Sequence, residues 1–394
     1  TKGSLVVDTE KFNVADNARL KSYGLKLSNG DSNGDNEVRI IRTGSHAKII
    51  SGNNEAFTYK PNHTDIIIEN SPDLTEDFPY SINYDFLNAL EGFSKYEVEV
   101  IFPYGESRLL MHEGEINKSI TFKGDTIELG EGSIQMQEKG TLNLIAKDAI
   151  ELGGVQLNMG EGNLNMMAKN LNVYGNSQVS GTGNLYLNTA DTSGMSTIIL
   201  GSTGGDDYDL YIKPEYFNSG GLFSNLKGRV YIGLLPGDNA QPTQARILLT
   251  GSTDINNELY LATQEYITGD PGSSLNTNDN NLYLISKYGM IDLLATALHN
   301  TPIKQAVANG IVNLNNPMNE LGPITNVIGS NVDIYSNGKI TTGRESDSGI
   351  TASNGDITIT SGSNSVELDT YANFTANKVL IFAQDKDNLQ KLCQ

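Results

Sequence analysis

From about Thr121 to Leu185 the chain repeats one short unit: an apolar residue, a polar residue and a second apolar residue, then a polar or glycine-bearing turn. The unit reads DTIELGEG, GSIQMQEKG, GTLNLIAKD, DAIELGG, GNLNMMAKN and GNLYLNTAD. Its first apolar positions are Ile127, Ile134, Leu142, Ile150, Leu157, Leu164, Leu171, Val179 and Leu185, a step of seven to eight residues. No α-helix produces such a pattern. Alternation within a unit puts two side chains on one face of a three- to four-residue strand and the intervening Glu, Gln or Asn on the other. Gly130, Gly132, Gly140, Gly153, Gly160, Gly162 and Gly175 fall at the turns, where the next strand must begin at once.

A strand this short cannot stand alone. Each buried aliphatic side chain contributes roughly 1.5 to 3 kcal/mol, which must offset the ordering entropy of the whole unit, so units have to stack. Two geometries satisfy that demand. Three successive units can form one coil of a single-chain parallel β-helix, or one unit from each of three chains can form a layer of an intertwined stem. The fold class expected is therefore all-β and elongated, a stacked short-strand β-helix stem, with the intertwined homotrimer preferred. The expected stem core is Ile127, Leu129, Ile134, Leu142, Leu144, Ile150, Leu152, Leu164, Leu171 and Leu185. A second regular stretch after Ser330, SNVDIYSNGKITTG through KVLIFAQD, adds Ile357, Ile359, Val366 and Leu368.

Four regions follow from this reading. Residues 1–118 carry longer side chains, strand candidates RIIRTG, TDIIIE and YEVEVIF, and a helical pattern in INYDFLNALEGF, and read as a small mixed β-rich attachment or connector domain. Residues 119–192 form the first stem. Residues 193–325 keep the motif (STIILGS, YDLYIKP, GRVYIGL, ARILLTG, NELYLAT, NNLYLIS) but space it irregularly, with polar insertions such as YITGDPGSSLNTNDNN that belong on the outside of a stack. Within them TPIKQAVANG carries helix signals: Thr301 to cap, Pro302 at the first turn and Gly310 to end it. Residues 326–394 form the second stem and its tail.

Composition narrows the function classes. With 41 Gly, 18 Tyr, no Trp and a formal net charge of −20, the chain has the profile of many strands and tight turns and no basic stripe for nucleic acid. Its one cysteine, Cys393, allows no intrachain disulfide, no apolar run approaches the ~20 residues that span a bilayer, and no cofactor motif occurs. The sequence opens on Thr1, which fits a processed or truncated product.

Candidate site residues are few. Tyr208, Tyr211, Tyr216, Tyr231, Tyr260 and Tyr283 concentrate in the irregular region, several in the outward central slot of the motif, and are the speculative receptor-binding set. NGDSNGDNE places Asn29, Asp31, Asn33, Asp35 and Glu37 at alternate positions, the oxygen-rich spacing of a calcium loop, but the twelfth position from Asp31 is Arg42 where a bidentate Glu would be needed. The four histidines, His46, His63, His112 and His299, stand in no nucleophile motif. Asp206, Asp207 and Asp209 are the densest acidic cluster outside the N-terminal region, the only foothold for a polysaccharide-cleaving pair of carboxylates.

The repeats in GDTIELGEGSIQMQEKGTLNLIAKDAIELGG and GDITITSGSNSVELDTYANFTANKVLIFAQD resemble the β-helical stems of tailed-bacteriophage tail fibres, tail spikes and baseplate spikes, over about half the chain. The resemblance implies a homotrimer in the virion tail, partnered with other tail or baseplate proteins and with a bacterial surface glycan or protein, and non-catalytic in host attachment. A polysaccharide-degrading tailspike and a bacterial surface adhesin are the alternatives.

Overall fold

The computed structural model describes residues 5–8, 11–22, 25–28, 38, 40–70, 80–102, 105–190, 196–201, 210–237, 241–363 and 365–383. The chain divides into two units, 1–184 with 222–227, and 185–221 with 228–394. Both are nearly all β, built of short strands in long sheets whose ladders run parallel. Among the described residues the only helical elements are Tyr84–Ala89 and the single turn Pro214–Tyr216.

In the first unit the rungs join each repeat to the third one after it. Ile127 pairs with Ile150 and Ile150 with Leu171, Ile134 with Leu157 and Leu157 with Val179, and Leu142 with Leu164. Pairing at this step runs within one chain, the single-chain arrangement of the two considered; an intertwined stem would draw its rungs between chains. Parallel strands can only be reached by a crossover, and here two further repeats serve as that crossover. The register sets like upon like, so Phe122, Leu144 and Met166 form one inward column, all but closed to solvent. On the outward face, Asn143 donates to Thr121 Oγ1 at 3.3 Å and Asn165 to Asn143 Oδ1 at 3.0 Å, a side-chain ladder parallel to the backbone one.

Residues before 118 enter the same kind of ladder instead of standing as a mixed domain. Phe12 pairs with Ile41 and Ile41 with Ile82; Tyr59 pairs with Val98, and Val98 with Phe122. The helix expected in INYDFLNALEGF occupies Tyr84–Ala89: the Asn83 side chain accepts from Phe86 N at 3.1 Å, and Tyr84, Phe86, Leu87 and Ala89 are buried. Asn83 also bonds both backbone groups of Thr43, so Asn83→Ala is expected to cost about 1–2 kcal/mol, read as a fall in the denaturant midpoint.

Glu97 is the one acid buried in this unit, 3% exposed, between Lys123 Nζ at 2.8 Å and Lys95 Nζ. Burial alone would raise its carboxyl, but the two ammonium groups hold it below the ordinary glutamate value. A carboxyl depressed on folding contributes stability that is present above its unfolded value near 4.5 and lost as pH falls through the folded one. Glu97→Gln is therefore expected to lower stability by about 1–2 kcal/mol at pH 7 and to flatten the acid limb of a stability–pH curve below about pH 4.5.

The second unit repeats the design. One column runs Ile247–Ile267–Ile291–Val312–Val332–Ile357 and another Leu259–Leu282–Ile303–Ile324, each buried and each advancing 20 to 25 residues per rung. Irregular spacing is confined to the start: Ile198 pairs with Ile247, 49 residues on, and Val230 with Leu259, 29 on. TPIKQAVANG is not helical but the strand Thr301–Ala308, paired on both sides. Its register shifts where Pro302 and Lys304 stand, which leaves the proline's missing N–H outside the ladder; two flanking strands outweigh local capping signals. Ile357 and Ile359 lie in the core, whereas Val366 is half-buried and Leu368 exposed, because the layer holding them is the last one described.

Candidate functional site

The motifs LYL, VYI, LYL and LYL each put a tyrosine in the outward central slot, and the parallel register then superposes them. Tyr186 pairs with Tyr231, Tyr231 with Tyr260 and Tyr260 with Tyr283. Their rings form a stack, with centroids 4.7, 4.4 and 3.9 Å apart and planes within 25° of parallel. Strand spacing, about 4.8 Å, is close to the thickness of a stacked aromatic pair, so identical side chains on adjacent rungs have little choice but to stack.

Polar groups gather at the phenol ends. Tyr260 donates to Glu258 Oε1 at 2.9 Å, and Arg229 Nε lies 3.3 Å from the same oxygen. Burial, followed by its hydrogen bonds with Tyr283 and Glu258, pushes the Tyr260 phenol well above the ordinary tyrosine value; burial likewise raises Tyr283. A hydrogen bond with Tyr231 heads the causes that raise Arg229. Lys304, whose ammonium bonds Glu345, lies within electrostatic reach of Tyr283. The phenols therefore stay neutral, and the stack carries donors, acceptors and one guanidinium along its edge.

This geometry restricts what the stack can hold. Sugars bind aromatic side chains through a ring face, and both faces of Tyr231 and of Tyr260 are already covered by neighbouring tyrosines. What remains is ring edges and hydroxyls, suited to hydrogen-bonding a polar partner laid along the rungs. Tyr260→Ala is expected to cost about 1–3 kcal/mol by opening two stacked contacts at once, measured as a shift of the unfolding midpoint.

No family model, curated protein or solved structure matches the chain.

The six tyrosines singled out in the sequence do not form one surface. Tyr231, Tyr260 and Tyr283 are in the stack. Tyr211 belongs to a different sheet, paired with Ile199, and its hydroxyl is buried. Tyr216 is buried in the turn Pro214–Tyr216, with the Lys213 ammonium 6.0 Å over its ring, and so is not an outward-facing residue. Tyr208 lies outside the described residues, as do Asp206, Asp207 and Asp209, Asn29, and the calcium candidates Asp31, Asn33, Asp35 and Glu37. Tyr186, absent from the set, is its fourth member; the LYL of GNLYLNTAD carries the same signal as the other three motifs.

The histidines add no catalytic constellation. His46 Nδ1 lies 3.1 Å from both Ser45 Oγ and Asp16 Oδ1, and one nitrogen cannot both activate a hydroxyl and be oriented by a carboxylate, which is the division of labour a triad requires. His63 stacks on Tyr80, and His299 faces Glu320 at 3.4 Å. Among the described residues no group of three or more His, Cys, Asp and Glu is placed to hold a metal, and no helix is long and apolar enough to cross a membrane.

Proposed function

We propose that the chain is a structural virion protein of a bacteriophage tail, a fibre or spike whose stem is a single-chain parallel β-helix and which contributes to host-cell attachment. The observation that carries this reading is the rung step: each repeat sits on the third one after it, in register, in both units. Layers joined by backbone rungs and filled with interlocking aliphatic columns resist bending, which is the mechanical requirement on a stem. A formal net charge of −20 keeps such a particle soluble. The outward slots, filled by Asn, Glu and the tyrosine stack with Arg229 and Glu258, supply hydrogen-bonding edges for a bacterial surface glycan or protein.

The reading includes a homotrimer docked to other tail proteins. Light scattering on the purified chain is expected to give a mass in multiples of three chains, and a single-chain mass at every concentration contradicts the assembly. Fluorescently labelled protein is expected to bind bacterial cells of the host, with binding reduced several-fold by Glu258→Ala at unchanged thermal stability. Equal binding by that variant removes the stack edge from the attachment surface.

A further inference from the structure

The last described layer of the second unit differs from every layer before it. Its apolar columns end uncovered: Val332 and Ile357 are at most 1% exposed but Val379, the next in register, is 38% exposed, and Ile334 and Ile359 give way to Ile381 at 39%. Thr342 is buried where Leu368, on the next rung, is exposed. The strand Lys378–Ala383 pairs on one side with Asp356–Ser361 and, among the described residues, with no strand on the other. It also lacks the devices that blunt a sheet edge: it has no proline, no register shift and no charge except Lys378 at its start.

We propose that this edge pairs antiparallel with the same strand of a second copy, joining two stacks end to end across a two-fold axis at Leu380. The pattern of the strand selects the partner and the register. Val379 and Ile381 face the core, whereas Lys378, Leu380 and Phe382 face outward, Phe382 being 47% exposed. An antiparallel partner must set core-facing residues opposite core-facing residues, because a shift by one residue sends every side chain to the wrong face. For a strand meeting its own copy, only registers centred on a residue do this. Centring on Leu380 opposes Val379 to Ile381 twice, Leu380 to itself, and Lys378 to Phe382, an ammonium beside a ring. The columns Val332–Ile357–Val379 and Ile334–Ile359–Ile381 then continue into each other across the axis, and the free backbone edge of each copy gains its partner. The pairing does not rest on the tail-protein reading, and a two-fold across the stack is compatible with a three-fold along it.

The test is sedimentation velocity of the full chain over a dilution series, beside Ile381→Lys and the control Tyr174→Lys, an exposed position in the first unit. The wild-type particle is expected to have twice the mass of the Ile381→Lys particle, with association at least about tenfold weaker in that variant. Tyr174→Lys is expected to sediment as wild type, and all three to melt alike. Hydrogen exchange of the amides of residues 378–383 is expected to slow as concentration rises. Equal masses for wild type and Ile381→Lys overturn the proposal. So does protection of those amides that does not change on dilution, since the edge is then covered by the chain's own residues.

Discussion

Leu144→Asp is expected to abolish the cooperative unfolding transition of the first unit. Leu144 is fully buried in the column with Phe122 and Met166, and no cation or donor is placed to meet a carboxylate there. The substitution removes an aliphatic side chain worth about 3 kcal/mol or more and buries a charge whose isolated transfer costs several more. Against a total stability of about 5–15 kcal/mol, the sum leaves little or nothing. Asn143→Ser, one residue away on the outward face, touches only the side-chain ladder with Thr121 and Asn165 and is expected to cost about 1 kcal/mol. Far-ultraviolet circular dichroism during thermal melting separates the two; a sharp native-like transition for Leu144→Asp refutes the inward assignment.

Gly183→Ala is expected to cost about 2–3 kcal/mol and to lower the melting temperature of its unit by about 4–12 °C. Gly140, Gly162 and Gly183 stand one above another at turns, and a Cβ on Gly183 would lie 2.0 Å from the carbonyl oxygen of Gly162. Backbone, not a flexible side chain, occupies that space, so the layers themselves must part. Gly153→Ala, whose Cβ would meet nothing closer than the Leu129 oxygen at 3.6 Å, is expected to stay within about 0.5 kcal/mol of wild type. Calorimetry of the two variants decides whether the spacing of these turns is set by backbone packing.

The stem was legible in the sequence because its period is local. A seven- to eight-residue alternation names the inward residues directly, and Ile127 through Leu185, with Ile357 and Ile359, are buried. What the pattern could not supply was which unit pairs with which: three repeats per rung is a long-range fact, and it only appears when Ile127, Ile150 and Leu171 are seen on one ladder. The region before residue 118 hid its membership because its rungs are separated by longer and more varied connections, such as the 41 residues between Ile41 and Ile82. TPIKQAVANG misled for the opposite reason, since Thr, Pro and Gly at helix-like positions are a local signal that strands on both sides override. Tyr231, Tyr260 and Tyr283 could be read as outward-facing, yet not as stacked face to face, because that depends on the register between rungs 23 to 29 residues apart.

The rung step itself is open to direct measurement. With Cys393 replaced by serine, cysteines at Gln156 and Gln178, which are opposed on adjacent rungs of the first unit, are to be treated with a short bis-maleimide under native conditions. A cross-link inside one chain, at single-chain mass and lost on prior unfolding, is the predicted result. Cross-links joining different chains, or none at all, would contradict the stacking of each repeat on the third one after it.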